Sequence, residues 1–593
     1  MPTAQAGSDG TVFPTDVHEA DVCVIGGGMA GVCAALASAR EGAETVLMQD
    51  RPVLGGNSSS ECRVHICGAD RHGHIPNMRE TGILEELRLQ NLHRNPNQKW
   101  SLWDGVLYDT CRRQENLSLL LNCSCLDAST KDRKIRSITG WQLTTEKYQT
   151  VTADIFIDCS GDAVLAPLTG ADWRMGREGR DEYDESIAPK EPDRATMGMS
   201  VLFWAEETES PQPFTPPSWA KTFKNCEDLP YGAEGHQNFR EGYWWIELGG
   251  QPDEDPIADT EEIRDRLLSI AYGVWDHIKN HCDVDADNWT LRRMPMLPAK
   301  RESRRYRGDH VLTQNDVEAG GPFEDTVAYG GWSMDDHHPT GFWSARLGHK
   351  ATIFHHAPSP YGIPYRSLYS RNIDNLMFAG RCASCTHAAM SSTRVMGTGS
   401  VMGQAAGTAA AIAVAASTTP RGVYEQHLQQ LQQSLLADDC YLPGIERELP
   451  DLTRHMKLRA SSGNPEPVRD GITRPAGEQR HGWPCRPGET ISYRFPDQRR
   501  ISTVDLTLES ELDRLICMCP KDDDRLRGIP ASMPEAFEVE VLRGGEWQQA
   551  AAVEDNIHRH VRLPINQTGE GVRFRLRSTH GADTSCVYRF EVR

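Results

Sequence analysis

The sequence predicts a chain of α/β class, interrupted by an inserted α+β segment and closed by an all-β sandwich. Three observations predict it. A short apolar run, Asp21-Val-Cys-Val-Ile25, stops at Gly26-Gly-Gly28 and gives way to small and apolar residues over 29–41. From about 172 to 345 the chain becomes rich in Trp, Pro and charge. After about 440, apolar and polar residues alternate with period two between turn signals such as Gly544-Gly545.

The run at Asp21 is β-branched and unbroken by polar residues, as a parallel strand buried on both faces requires. Residues 29–41 read as a helix stopped at Gly42, and Thr45-Val-Leu-Met48 as the next strand. Gly26, Gly28 and Gly31 fit G-x-G-x-x-G between that strand and helix. The first glycine makes the tight turn, the second admits a pyrophosphate and the third lets helix and strand pack closely. The unit is therefore Rossmann-like and expected to hold a dinucleotide on the helix N-terminus. An acid that binds the ribose is expected about 20 residues on. The second strand ends in Gln49, Asp50 and Arg51, and either Gln49 or Asp50 suits the ribose hydroxyls.

Further strands are expected at Leu117–Cys125, Asp154–Ile157 and Leu376–Ala379, and small-residue or amphipathic helices at 78–92 and 398–416. A helix over 261–280 opens with Asp259-Thr-Glu-Glu262, a capping-box pattern, and carries Ile263, Leu267, Ile270, Val274 and Ile278 on one stripe. Period-two strands are expected at Glu489–Phe495, Ser502–Leu508, Phe537–Leu542, Val572–Leu576 and Tyr588–Val592. The domain reading is 1–171 and 346–440 for the two parts of the nucleotide domain, 172–345 for an inserted substrate domain, and 441–593 for a sandwich of galactose-binding-like texture.

At 593 residues the chain exceeds one ordinary core. Its net charge of −21 argues against a nucleic-acid partner, which needs clustered Lys and Arg, and against an anionic membrane surface. No apolar run reaches the ~18–20 residues of a membrane span, and Met1–Ala20 lacks the apolar stretch of a secretion signal. The expected location is the cytoplasm, with the 17 cysteines reduced.

Leu54-Gly-Gly-Asn-Ser-Ser-Ser-Glu61 with Arg63-Val-His-Ile-Cys-Gly68 resembles the segment after the second strand in a large family of bacterial FAD-dependent oxidoreductases. These share the two-dinucleotide-binding-domain architecture of the glutathione reductase and fumarate reductase flavoproteins. Phe156–Asp162, Leu297–Arg305, Ile363–Leu368 and Met377–Cys382 continuing to Gly407 are similar to further segments of that family, in order, over most of residues 20–420. The resemblance implies FAD. It implies that Gly55, Gly56, Asn57 and Ser58 pass close to the flavin, that Gly161 and Asp162 reach its ribityl or ribose hydroxyls, and that Gly380 and Arg381 form a second contacting strand end. It further implies that a helix beginning near Gly399, carrying Gly403 and Gln404, points its N-terminus at the isoalloxazine.

For catalysis, His387 suits a proton acceptor while hydride leaves to the flavin, Arg394 suits a carboxylate or oxygen clamp, and His65 is a third candidate. The alternative for each is a polar residue that supports cofactor loops. Arg301, Glu302, Arg304 and Arg305 read either as substrate-site charges or as a buried ion-pair network. His337-His338 and His355-His356 lack ligand spacing, and no metal is expected. Cys62/Cys67 and Cys382/Cys385 have redox-like spacing, but a disulfide reductase needs a second dinucleotide fingerprint and none is present.

The expected activity is hydride transfer between a polar, hydroxylated, sugar-like substrate and flavin, with an electron acceptor the sequence does not identify. Trp244, Trp245, Trp332 and Trp343 suggest the sugar, because aromatic faces stack on sugar rings, and the sandwich suggests a carbohydrate partner. Reduction or dehydrogenation at a carbon–carbon bond is the second enzyme reading. A flavin-carrying glycan-binding protein is the third.

Overall fold

The computed structural model describes residues 12–230, 232, 239, 246–519 and 525–593. The first part of the chain forms β1 (Thr15–Glu19), β2 (Val22–Ile25), α1 (Met29–Arg40), β3 (Thr45–Met48), α2 (Ile83–Arg94), α3 (Trp100–Arg112), β4 (Leu117–Leu120), β5 (Cys123–Lys131), β6 (Lys134–Gln142), β7 (Lys147–Thr152) and β8 (Ile155–Asp158). Three later elements return to it: β9 (Leu376–Phe378), α4 (His387–Thr393) and α5 (Met396–Ala415).

A five-stranded parallel sheet runs in the order β9-β8-β2-β3-β4. All residues of β2, β3 and β8 are buried, as the apolar runs demand. The expected strand over 117–125 is two strands. Asn122 takes φ +53° and turns the chain out of the parallel sheet into β5, so β5, β6, β7 and β1 make a second, four-stranded sheet that the sequence reading did not separate. The helix expected from 78 begins at Ile83, because Gly82 at φ +74° cannot continue a helical turn backwards.

Helices α1 and α5 meet at backbone distance. A Cβ on Gly403 would lie 2.0 Å from the Ala30 carbonyl oxygen, and one on Gly407 2.1 Å from that of Ala34. Gly403 is thus a packing residue and not, as the sequence suggested, a cofactor contact. Gly403→Val is expected to cost about 1–3 kcal/mol or more through overpacking. A thermal melt with flavin occupancy of the folded fraction checks it: Tm falls and occupancy holds.

The segment between β8 and β9 has its own core around a helix at Thr260–Asn280. The expected stripe Ile263, Leu267, Ile270, Val274 and Ile278 is buried against Met199, Phe203, Phe223 and Phe342. The capping box does not form. The Asp259 carboxylate instead accepts from the Asp255 amide at 2.8 Å, and its own backbone is not extended as an N-cap would be. Trp244 and Trp245 lie outside the described residues.

Residues 457–592 form one antiparallel seven-stranded ladder that fits a β-sandwich. The runs expected at 489–495 and 502–508 are the two ends of one strand, Thr490–Leu508, whose pairing shifts register at Arg494/Arg499 and Ile501/Thr503. Its apolar face, with Trp483, Phe537, Phe574 and Phe590, makes a separate core. Among the described residues no single helix is long and apolar enough to cross a membrane. Helix α5 is apolar because it is enclosed.

Candidate functional site

A cleft of about 440 Å³ opens at the carboxyl ends of β2, β3, β8 and β9. This is where an open parallel sheet reverses its strand order and receives ligands. Its floor is built of glycine, and the glycines differ in what they do. Gly26 has φ +92°, and an added Cβ would lie 2.4 Å from Ser160 Cα; a Cβ on Gly31 would lie 1.8 Å from the Gly26 carbonyl oxygen. Those two hold strand, turn and helix together. Around Gly28 the nearest heavy atom to such a Cβ is Gly56 Cα at 4.0 Å, so the space above it belongs to the cleft. Gly28 is also the N-cap of α1 and has no side chain to satisfy the first-turn amides. That is the arrangement that takes an anionic diphosphate. Gly55, at φ +101°, pairs with Gly28 and brings Gly56 and Asn57 to the rim.

The two candidates for the ribose slot, Gln49 and Asp50, both line the cleft but differ in their partners. Gln49 Oε1 accepts from the Gly27 amide at 2.6 Å and its Nε2 donates to the Val53 carbonyl at 3.3 Å. Its amide therefore braces the glycine turn, and the carboxylate of neighbouring Asp50 stands at the cleft edge beside Arg51.

At the end of β8 the buried Asp158 carboxylate accepts from the Ser160 amide and hydroxyl, the Leu165 amide and the Tyr306 hydroxyl at 2.6–2.9 Å. This fixes the turn that presents Gly161 and Asp162. Asp162 accepts from Lys300 Nζ at 2.8 Å and Ser303 Oγ at 2.7 Å, with Arg381 at 3.7 Å. Burial alone would raise the Asp162 carboxyl, but Lys300 and Arg381 hold it below its ordinary value. Lys300 was not singled out in the sequence, although it lies in a segment that carried the resemblance.

Among the described residues that line the cleft, two buried guanidinium N–H groups find no protein partner: Arg381 Nη1 and Arg394 Nε. Both residues line the cleft, with Gly380, Met396 and Gly399. Helix α5 begins here, its N-cap Val395 offering no capping side chain.

Several candidates lie elsewhere. Ser58 is buried under the loop, donating to the Gly55 carbonyl at 2.9 Å. Gln404 Oε1 accepts from the Ile83 amide at 2.9 Å and so caps α2. His387 does not line the cleft. Its Nδ1 lies 2.8 Å from Glu302 and its Nε2 3.2 Å from Asp336, both carboxylates, and its backbone amide donates to Glu178. Burial would lower its pKa, but Glu302 and Asp336 overcome that and raise it to about 10. An imidazolium so held is no proton acceptor at neutral pH, which corrects the expected role. His65 also lies off the cleft, behind the loop, beside His72.

The charge group at 301–305 divides. Arg301, half-buried, pairs with Glu247, and the buried Arg305 with Glu178 and Glu302, whereas Arg304 reaches the cleft. His337 is held between Glu247 and Asp335, and His338 stacks on His349. Trp332 and Trp343 do not line the cleft; Trp343 packs on Phe342 under Lys221 and Arg346. The redox-spaced cysteines are unbonded. Burial pushes the Cys62 and Cys385 thiols up to about 12, far from the thiolate that exchange chemistry needs.

The solved structures that this chain is similar to include E. coli quinol fumarate reductase FrdA, at 11% identity over 71% of this chain and 75% of that one, with a TM-score of 0.28. They also include the family 32 carbohydrate-binding module of Streptococcus pneumoniae EndoD, at 11% identity over 24% of this chain and 97% of that one, with a TM-score of 0.19. No curated protein matches the chain. The family model described as FAD dependent oxidoreductase matches residues 21–435, from the first strand of the parallel sheet to the helices after α5. A parallel sheet with a glycine-floored cleft at its carboxyl edge, under a model spanning more than two thirds of the sequence, places this chain in the FAD dependent oxidoreductase family, with FAD as its cofactor.

Proposed function

We propose that the cleft holds FAD with the diphosphate over Gly28 and the first turn of α1, the adenosine end at Asp50 and Arg51, and the isoalloxazine end among Asn57, Arg394 and Gly399. We propose further that it serves the oxidation of a polar hydroxylated substrate carrying a carboxylate. The fit rests on the open space above Gly28, the uncapped amides of α1 and the unpartnered Nη1–H of Arg381. FAD, when bound, supplies a two-electron acceptor for the hydride of a carbinol carbon.

The observation that carries the substrate class is Arg394. Its Nη2 donates to the backbone and carboxylate oxygens of Asp335, each at 3.1 Å, which leaves Nε–H for a ligand. Burial opposes ionisation of Asp335, yet His337 and Arg394 hold its carboxyl far below the ordinary range, so the anchor stays charged. A guanidinium edge fixed in this way binds and orients a carboxylate. Among the described residues no imidazole lines the cleft, so His387 is given a positioning role. The inserted segment contributes Ile257, Thr260, Leu297 and Lys300 to the same walls, which supports its reading as the substrate-facing part.

The test is an anaerobic panel on the flavin-loaded protein. Bleaching by 2-hydroxy acids and sugar acids, but not by neutral sugars, supports the reading, and equal bleaching by neutral sugars sinks it. Enoates that reoxidise the reduced flavin, with no bleaching by hydroxy acids, would favour carbon–carbon chemistry instead. Arg394→Gln is expected to keep the flavin spectrum and lower kcat/KM on the order of 100-fold, as loss of one preorganised donor does.

A further inference from the structure

Behind the cleft, on the far side of the loop that carries Asn57 and Ser58, imidazole and sulfur ligands converge from two distant parts of the chain. His65 and His72 come from the loop before α2, and Cys517 comes from the connection that follows Thr490–Leu508 in the C-terminal sheet. One ligand atom from each lies within 4.8 Å of the others. The two Nε2 atoms are 3.3 Å apart. That is long for a hydrogen bond, and it matches the separation of about 3.3 Å between two nitrogens on one tetrahedral ion at ~2.05 Å. Cys67 Sγ lies 3.6 Å from His72 Nε2, at the edge of the group.

We propose that His65, His72 and Cys517 form a closed, structural site for a thiophilic divalent cation of the Zn²⁺ class, with Cys67 or a water in the fourth position. The donor set selects the ion: imidazole and thiolate suit zinc, whereas magnesium and calcium require oxygen ligands, and no carboxylate belongs to the group. His65 and Cys517 are buried and His72 half-buried, as a structural site requires. Binding displaces the Cys517 thiol proton to solvent and needs both imidazoles neutral.

The site would staple the C-terminal sheet to the flavin loop. The two segments already touch, because the Arg79 guanidinium donates to the carbonyls of Ser510, Glu511 and Arg514, and Ile516 packs on Leu89 and Leu92 of α2. On the other side the Cys67 carbonyl accepts from the Gly397 amide in the first turn of α5, at 2.8 Å. This proposal departs from the expectation that the chain holds no metal, which considered only neighbouring histidines.

The experiment measures metal and flavin together in the full-length protein, purified without chelator and then titrated with Zn²⁺ against a chromophoric chelator. One equivalent of zinc per chain is expected, and Co²⁺ in its place should give thiolate-to-metal charge-transfer absorption. Cys517→Ser and His72→Ala should each lose that equivalent while the flavin spectrum remains. A second His/Cys group, Cys226, His277 and Cys282, provides the control. Cys226→Ser should leave the stoichiometry at one. Failure of the flavin-loaded wild type to bind zinc, or loss of the equivalent in Cys226→Ser but not in Cys517→Ser, overturns the proposal. Should His72→Ala fail to fold, Cys517→Ser and the cobalt spectrum still decide it.

Discussion

Gly28→Val is expected to give a protein that folds and does not retain FAD. Gly28 has φ −66° and ψ 178°, a conformation open to any residue, and a Cβ there meets no atom closer than 4.0 Å. The new side chain therefore costs the apo fold little. It fills the volume over the first turn of α1, where the diphosphate is placed. Retained flavin should fall at least 100-fold, about 2.7 kcal/mol, with Tm of the apo protein within a few degrees of wild type. Gly31→Ala is the contrasting case, since its Cβ would lie 1.8 Å from the Gly26 carbonyl oxygen and must disturb the fold itself. Absorption at the flavin band and a thermal melt separate the two. A yellow, flavin-replete Gly28→Val protein would refute the placement.

The second large effect is expected at His387. Removing this cation leaves Glu302 and Asp336 facing each other in a buried site where Glu178, Arg305 and Arg177 also meet. Loss of one partner from a buried charged set costs about 3–5 kcal/mol, so His387→Gln should melt well below wild type. The effect carries a pH signature that a packing defect lacks. The folded pKa of His387 is raised to about 10 from an ordinary 6.5. The group is protonated in both states below 6.5, where its stabilisation is fully present. Between 6.5 and about 10 only the folded state keeps the proton, and the stabilisation is lost as pH rises. The gap between wild type and His387→Gln should therefore narrow by roughly 1.4 kcal/mol per pH unit from 7 toward 10. A gap constant over that range would mean that the imidazole is neutral in the fold. Flavin reduction measured on the folded variant should be slowed far less than in Arg394→Gln, because His387 positions Glu302 and does not line the cleft.

The nucleotide half of the site was legible because its chemistry is local. A glycine that must turn, one that must leave space and one that must pack are set by their immediate chain neighbours: Gly26 and Gly31 are closely packed in the structure, and Gly28 opens onto the cleft. The apolar runs at 22–25, 45–48 and 155–157 became buried parallel strands for the same reason. The helix stripe from Ile263 to Ile278 likewise needed only its own periodicity.

Partnership across the chain was not legible. Whether Gln49 reaches a ribose or braces Gly27 depends on which donor lies closer in space. His387 looks like a base in sequence, and only the approach of Glu302 and Asp336, 85 and 51 residues away, turns it into a fixed cation. Gly403 and Gln404 sit in a segment that suggests cofactor contact, yet the close approach of α1 and the start of α2 employ them in packing and capping. Asp259 had a better use for its carboxylate than the helix end.

The sequence by itself determined the class of the chain, the strand–glycine–helix cradle and the period-two C-terminal sheet, because backbone conformation and burial periodicity are short-range properties. Tertiary structure alone decided which charged groups remain available to a ligand and which are consumed by one another. Charge, hydrogen bonding and metal ligation depend on separation in space, and folding sets that separation between residues hundreds of positions apart.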